Sequence, residues 1–328
     1  MTGRRLLVVA VAAAALLAGV GASLALGTID VPLREVIDSL LGRAQDGPSK
    51  QIVLQLRLPR TVDAILVGAA LGVAGALLQG ALGNPLASPD VIGVTAGSGF
   101  GAILILLAFP GSIALLPVGA LVFGLTAATL VFVVAWIGPD GGGPGRLILA
   151  GIAIAALFAA GTTGLMTAFP DRVQSAVFFL AGGLVSDGWD EMRVIWPYFA
   201  VGFVLAACLI RPLDRLALGD DVAASLGTRP RVIRLGAGGA AALLAAASAA
   251  IAGLLGFLGL VVPHVIRMAG GTASHGFVVP VSALGGAALL VAGDTLARTV
   301  KPPLELPVGP FMVLIGVPMF LWLLRKAV

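Results

Sequence analysis

Charge is what this chain lacks most. Only 11% of its 328 residues are Asp, Glu, Lys or Arg, while 59% are hydrophobic and the mean hydropathy is +1.08. Soluble domains usually carry about 25% charged residues, so a soluble globular class is excluded. Nearly all of the chain lies in or beside apolar runs, which leaves no room for a separate soluble unit and predicts one membrane domain over 1–328. The single cysteine, Cys208, excludes an intramolecular disulfide and a thiolate metal cluster. Its place in an apolar run predicts a buried thiol. His264 and His275 are the only histidines, with no third ligand near them in sequence, so no metal site is expected. One tyrosine and no basic-aromatic cluster leave nucleic-acid binding without support.

Lysine is nearly absent too. Lys50, Lys301 and Lys326 are the whole set, and none lies in a G-x-x-x-x-G-K-[ST] phosphate cradle. The segment "GSGFG" sits inside an apolar run without a strand-turn-helix context, so it is read as helix packing. Neither H-E-x-x-H nor G-x-S-x-G occurs. No catalytic residue is assigned, and the chain is not read as an enzyme.

What is present is a series of apolar runs. A helix crossing the hydrocarbon layer needs about 20 apolar residues, and candidate spans fall at 6–26, 61–81, 91–109, 113–137, 146–168, 193–210, 232–253, 255–268, 277–297 and 306–324. The predicted class is therefore an all-α polytopic membrane protein with about ten helices. The apolar stretch 6–26 is longer than the roughly 7–15 residues of a signal-peptide core, so it is read as a retained span with its N-terminus in the cytoplasm. "LLGFLGLVVPHVIRMAGG", at 254–271, is broken by Gly and Pro, which predicts a short element buried among other helices. Gly68/Gly72, Gly93/Gly97 and Gly97/Gly101 have the spacing of closely packed helices.

With that orientation, both termini are cytoplasmic and eleven basic residues fall inside against nine outside. The margin is thin for the positive-inside rule, because Arg57, Arg60 and Arg298 belong to the outer set. The longest inward segment is 211–231, and Leu216, Leu218, Val222, Ala223 and Leu226 recur there at near-helical spacing. A short amphipathic helix offering an apolar ridge is expected, either to a partner or to the membrane surface. The Gly-rich stretch 141–145 reads as another inward turn. Arg60 precedes "PDVIG" by the interval at which Arg234 precedes "PHVIR", 29 residues in each case. Five crossings separate the two stretches, so they would run in opposite directions, a hint of an inverted repeat of the kind transporters use. Asp63 and Asp294 are the acidic residues nearest the spans, and Asp294 is four residues from Arg298, a spacing that suits an ion pair.

"LRLPRTVDAILVGAALGVAGALLQGALGNPLASPDVIGVTAGSGFGA", "LALGDDVAASLG", "GFLGLVVPHVIR" and "ELPVGPFMVLIGVPMFLWLL" together resemble the FecCD/BtuC-like permease family of iron-siderophore, haem and cobalamin ABC importers. The resemblance runs from about residue 50 to the C-terminus. It implies a ten-helix subunit of the bacterial cytoplasmic (inner) membrane, paired with a second permease subunit as a homo- or heterodimer. Two ABC ATPase subunits would bind ATP and Mg and dock from the cytoplasm, and an extracytoplasmic binding protein would deliver the substrate.

By resemblance, Arg57, Arg60 and Arg298 dock the binding protein. Leu218, Gly219, Asp220, Asp221, Ala224, Leu226 and Gly227 couple to the ATPases; the family usually has a glutamate where this chain has the two aspartates. Asn84, Pro85 and Leu86 form the turn at the cytoplasmic gate, with "PGR" at 144–146 opposite it. The span 146–168, with Thr162 and Thr163, would line a smooth pathway. The implied function is ATP-driven import of a metal chelate, a ferric siderophore above all, by alternating access. The competing reading, raised by the possible repeat, Asp63 and Asp294, is a proton-coupled secondary transporter.

Overall fold

The structure, a computed structural model, describes residues 3–137, 144–184 and 188–327. Residues 138–143, most of the Gly-rich turn at 141–145 among them, lie outside the described set. The described residues contain helices and turns and no strand. In chain order the helices are α1 (Gly3–Ala25), α2 (Leu33–Leu40), α3 (Pro48–Gln51), α4 (Leu58–Leu82), α5 (Val94–Ala108), α6 (Leu116–Trp136), α7 (Pro144–Ala168) and α8 (Val173–Ala181). They continue with α9 (Asp190–Leu216), α10 (Asp220–Ser225), α11 (Pro230–Ala252), α12 (Leu258–Gly270), α13 (His275–Thr299) and α14 (Val308–Ala327). A π-helical stretch, Ile52–Arg57, joins α3 to α4 without a break.

Among the described residues, seven helical stretches are long and apolar enough to cross a membrane, and α5, α12 and α14 are shorter apolar helices. Each overlaps one of the ten expected spans. The short helices α2, α3 and α8 were not anticipated, because none has an apolar run long enough to register as a span. Helix α12 matches its expectation: 13 residues rise only about 20 Å, and Phe257 enters it with a left-handed φ of 66°.

Helix α4 is the centre of the bundle, packed by α13, α11, α12 and α9. Its small residues set the spacing. A Cβ at Gly68 would stand 2.4 Å from the Gly286 carbonyl oxygen of α13, and one at Gly75 would stand 1.7 Å from that of Gly259 in α12. With so little apolar contrast between lipid and protein, such backbone approach is what binds helices together. Gly97 and Gly101 serve likewise against α6, where their Cβ positions meet the Phe123 and Gly119 carbonyl oxygens. Gly93 has a different duty from the one its spacing suggests: its φ of 72° turns the chain into α5.

The hydrogen bonds define two poles. Where α1 begins, Arg4 donates to the Met268 and Ala269 carbonyls at the end of α12 (2.8 Å each), and Arg234 near the start of α11 donates to Ala81 O at the end of α4 (3.1 Å). This is the near pole. At the far pole, the end of α1 meets Arg57 and Arg298. Helices α4 and α11 therefore run antiparallel, as the Arg-to-Pro echo predicts, but its proline ends are not equivalent. Pro89 opens a short 3-10 turn, Pro89–Ile92, ahead of α5, whereas Pro263 lies inside α12.

Cys208 is exposed on α9, which corrects the expectation of a buried thiol. An apolar run shows that a residue avoids water without showing which face of its helix meets protein. Membrane helices satisfy that preference against lipid as well.

Candidate functional site: two polar poles of the bundle

At the far pole the sequence-distant arginines come together. Arg60 donates to Asp294 through Nε (3.1 Å) and an NH2 nitrogen (2.9 Å), and to Glu305 Oε2 at 2.5 Å. Arg298 donates to the other oxygen of Asp294 at 3.0 Å and to Ser23 Oγ at 2.8 Å. Ser23 shares a 2.8 Å hydrogen bond with Thr61, whose hydroxyl donates to Arg57 O at 2.7 Å. Arg57 donates to the carbonyls of Leu24 and Ala25, 2.8 Å each, and to that of Ile29. The i,i+4 pair expected of Asp294 and Arg298 is present, and Arg60 joins it.

Arg57, Arg60, Arg298 and Glu305 line a cavity of about 500 Å³ together with Phe178 and Leu184. Burial differs sharply within the set: Arg57 is 6% exposed and Arg298 4%, while Glu305 keeps 45% of its side chain accessible. The sequence expectation treats all three arginines as equally outward. Two of them are bound inside their own subunit, and Arg60, bridging Asp294 to Glu305, stands between that interior and the cavity mouth. Ser23, Thr61 and Glu305 were missed, since serine and threonine in apolar runs carry no signal until a partner is known. Glu305 was legible only as the first letter of "ELPVGP".

At the near pole, Gly83 adopts a left-handed φ of 60° and ends α4. Asn84 Oδ1 then accepts the Leu86 N–H at 2.9 Å, and its carbonyl accepts that of Ala87 at 3.1 Å. The Asn84–Pro85–Leu86 stretch is thus a tight turn whose Leu86 is 44% exposed. Beside it, Asp220 receives both terminal nitrogens of Arg234, at 2.7 and 2.8 Å. The Arg234 guanidinium holds the Asp220 carboxyl below its ordinary range, against a smaller upward push from burial.

The 211–231 segment comprises the end of α9, the short α10 and the start of α11. Gly219 and Gly227 flank α10 with φ of 100° and 76°, conformations that L side chains adopt rarely. The expected apolar face divides into two. Leu216 and Ala223 are buried in the subunit, while Leu218, Val222 and Leu226, four residues apart, are 60%, 46% and 52% exposed. Asp221 and Ala224 are exposed as well. Nearby, His275 Nδ1 pairs with Asp214 Oδ1 at 2.8 Å, and Gln79 donates to Leu260 O at 3.0 Å while accepting from Arg267.

On α7 both threonine hydroxyls bond back to their own helix, Thr162 to Phe158 O (2.9 Å) and Thr163 to Ala159 O (3.0 Å). Thr162 is buried and Thr163 exposed, so they lie on different faces. The exposed face contains Ala153, Ala156, Ala160, Thr163 and Gly164 together with the large side chains of Leu149, Ile152 and Leu157. Asp90, a carboxylate passed over at the sequence level, sits on the turn before α5, bonded to Thr95 (2.5 Å) and Ser88 (3.4 Å).

Among the described residues, an all-helical bundle with small-residue packing, a charged pole at each end and an exposed apolar ridge at one of them defines a polytopic membrane protein. Residues 15–326 match the FecCD transport family, and the chain belongs to that family. It is 38% identical over 304 residues to the Fe(3+)-citrate import system permease protein YfmE of Bacillus subtilis (strain 168), covering 92% of this chain and 90% of that protein. It is 39% identical over 306 residues to the Fe(3+) dicitrate transport system permease protein FecD of Escherichia coli (strain K12), covering 93% of each. A solved metal-chelate type ABC transporter in an inward-facing conformation superposes with a TM-score of 0.85 at 30% identity, over 97% of this chain and 98% of that one.

Proposed function

We infer that this chain is the transmembrane permease subunit of an ATP-driven importer that moves a metal chelate, a ferric siderophore or related ferric complex, across the bacterial cytoplasmic membrane. The observation that carries the reading is the near-complete match to the FecCD transport family, with iron-citrate permeases among the relatives covered almost end to end. The subunit does no covalent chemistry. ATP and Mg belong to two partner ATPase subunits, and a second permease subunit completes the pathway.

In this reading the near pole is cytoplasmic and holds both termini, and ten helices cross the membrane. Leu218, just before α10, Val222 on it and Leu226 at its end present the apolar ridge that enters an ATPase groove. The far pole meets an extracytoplasmic binding protein through Arg60 and the cavity mouth, where an incoming acidic side chain would compete with Glu305 for the guanidinium. Arg57 and Arg298 support that surface from beneath by holding α1 and α13 to it. The exposed face of α7, small residues interspersed with Leu149, Ile152 and Leu157, lines the path and passes a bulky chelate with few fixed polar contacts.

A proton-coupled carrier would need a mid-membrane carboxylate free to bind and release protons. Asp294, one of the two carboxylates that motivated that reading, lies at the far pole between two guanidinium groups and does not suit it.

The test is uptake by proteoliposomes containing the assembled complex, offered labelled ferric citrate and labelled hydroxamate and catecholate chelates together with the cognate binding protein. Accumulation that requires ATP supports the reading. Accumulation driven by a pH gradient in vesicles holding this chain without ATPases overturns it.

A further inference from the structure

Asp220 falls among the residues that resemblance assigns to contact with the ATPases, yet its carboxylate is already taken. Both terminal nitrogens of Arg234 reach it, at 2.7 and 2.8 Å, and Arg234 Nε reaches Ala81 O at 3.1 Å. One guanidinium therefore joins three parts of the chain: α10, which the exposed ridge residues Leu218, Val222 and Leu226 span from end to end; α11, on which Arg234 stands; and the last turn of α4. Ala81 is two residues before Gly83 and three before Asn84, where the exposed turn begins.

The geometry suits transmission of a displacement. A bidentate guanidinium-carboxylate pair resists both sliding and rotation, because two parallel bonds fix the planes of both groups. Other ties between α10 and the subunit are local. Ala223 is buried, and Thr228 closes back on the Ala223 carbonyl. On its other side, α4 is tied to α12 by Gln79, which donates to Leu260 O and accepts from Arg267. The end of α4 is thus held by Arg234 toward the ridge and by Gln79 toward the short helix.

We propose that Arg234 is a positioning residue that transmits movement of α10 to the end of α4 and so to the Asn84–Pro85–Leu86 turn, with Asp220 as its grip on α10 and not as a contact to a partner. This rests on the reading that α10 is the element the ATPases push. The ridge residues Leu218, Val222 and Leu226 would receive the force, and the Asp220–Arg234–Ala81 connection would carry it inward. An Arg234→Lys change keeps the charge but can no longer span both oxygens and the carbonyl at once.

The experiment measures chelate molecules transported per ATP hydrolysed, in proteoliposomes holding the full complex, for wild type, Arg234→Lys, Asp220→Asn and Asp220→Glu. Co-purification of the ATPases with each variant is measured alongside. Arg234→Lys and Asp220→Asn should each lower transport per ATP about tenfold, within the usual range for coupling between sites, in complexes that still co-purify. Asp220→Glu, which keeps the carboxylate, should restore most of the ratio. A ratio equal to wild type in both variants overturns the proposal. So does a parallel fall in hydrolysis and transport, which would mark a merely structural pair, or loss of the ATPases in Asp220→Asn, which would return Asp220 to the partner interface. A wild-type complex with no ATP-driven uptake would instead overturn the proposed function, and is thereby distinguished.

Discussion

Asp294 and Arg60 stand 234 positions apart in the chain, yet the carboxylate oxygen Oδ1 accepts from two nitrogens of the one guanidinium, at 3.1 and 2.9 Å. The same carboxylate also receives Arg298 at 3.0 Å. With Asp294 only 1% exposed, its charge is tolerable because two cations surround it, and theirs because it is present.

Removing Asp294 therefore leaves two guanidinium groups uncompensated. Breaking a buried pair by deleting one partner costs about 3–5 kcal/mol, so Asp294→Ala should lower the thermal midpoint of the detergent-solubilised protein strongly. Glu305→Gln, whose side chain is 45% accessible, should cost no more than about 1 kcal/mol. Equal shifts for the two variants would contradict this division of the network.

Glu305 also masks Arg60 on the cavity side. Glu305→Gln should strengthen capture of an acidic binding protein, and the gain should fade above roughly 0.15 M salt as screening shortens to about 8 Å. A binding titration at several ionic strengths checks this. Unchanged affinity at low salt would remove Arg60 from the docking surface. Reversing Arg57 is a poor probe of docking, because this 6% exposed residue would take its helix contacts with it.

The ridge around α10 predicts a different pattern. Leu218 and Leu226 are 60% and 52% exposed, so Leu218→Asp with Leu226→Asp should leave the thermal midpoint near wild type. Burying one leucine at an interface contributes about 1.5–3 kcal/mol, so ATPase affinity should fall by a factor of about a hundred or more. A large loss of stability with affinity intact would place the ridge inside the subunit's own packing.

The Asp220–Arg234 pair carries a pH signature. Arg234 lowers the folded-state pKa of Asp220 below its reference value of 3.8, so the unfolded chain binds the proton more readily. The pair's stabilisation is therefore fully present above 3.8 and is lost as pH falls through the lowered folded value. The stability difference between wild type and Asp220→Asn should be flat near neutrality and shrink in acid. Its size should stay below about 1 kcal/mol, because Asp220 is 52% exposed. A difference that grows in acid would have the wrong sign.

The all-helical class and the location of the apolar runs were decided by the sequence alone. Lipid admits backbone only when its polar groups are satisfied internally, so hydropathy translates almost directly into helices. The same logic exposed the break before α12 and the i,i+4 pair of Asp294 and Arg298, both of which depend on neighbours in the chain. The motifs resembling the permease family were legible too, since they are short and keep their order.

Tertiary structure decided which side of each residue does the work. Leu216 and Leu218 are two positions apart and equally apolar, but one is buried and the other forms the ridge. Arg57 and Arg60 share a motif, but one secures the end of α1 while the other spans Asp294 and Glu305. Asp220 is paired with Arg234, fourteen residues on, a partner that no local pattern announces. Facing direction and pairing between distant segments depend on how helices cross, and helix crossings depend on close approaches such as Gly68 to Gly286 that no local pattern specifies.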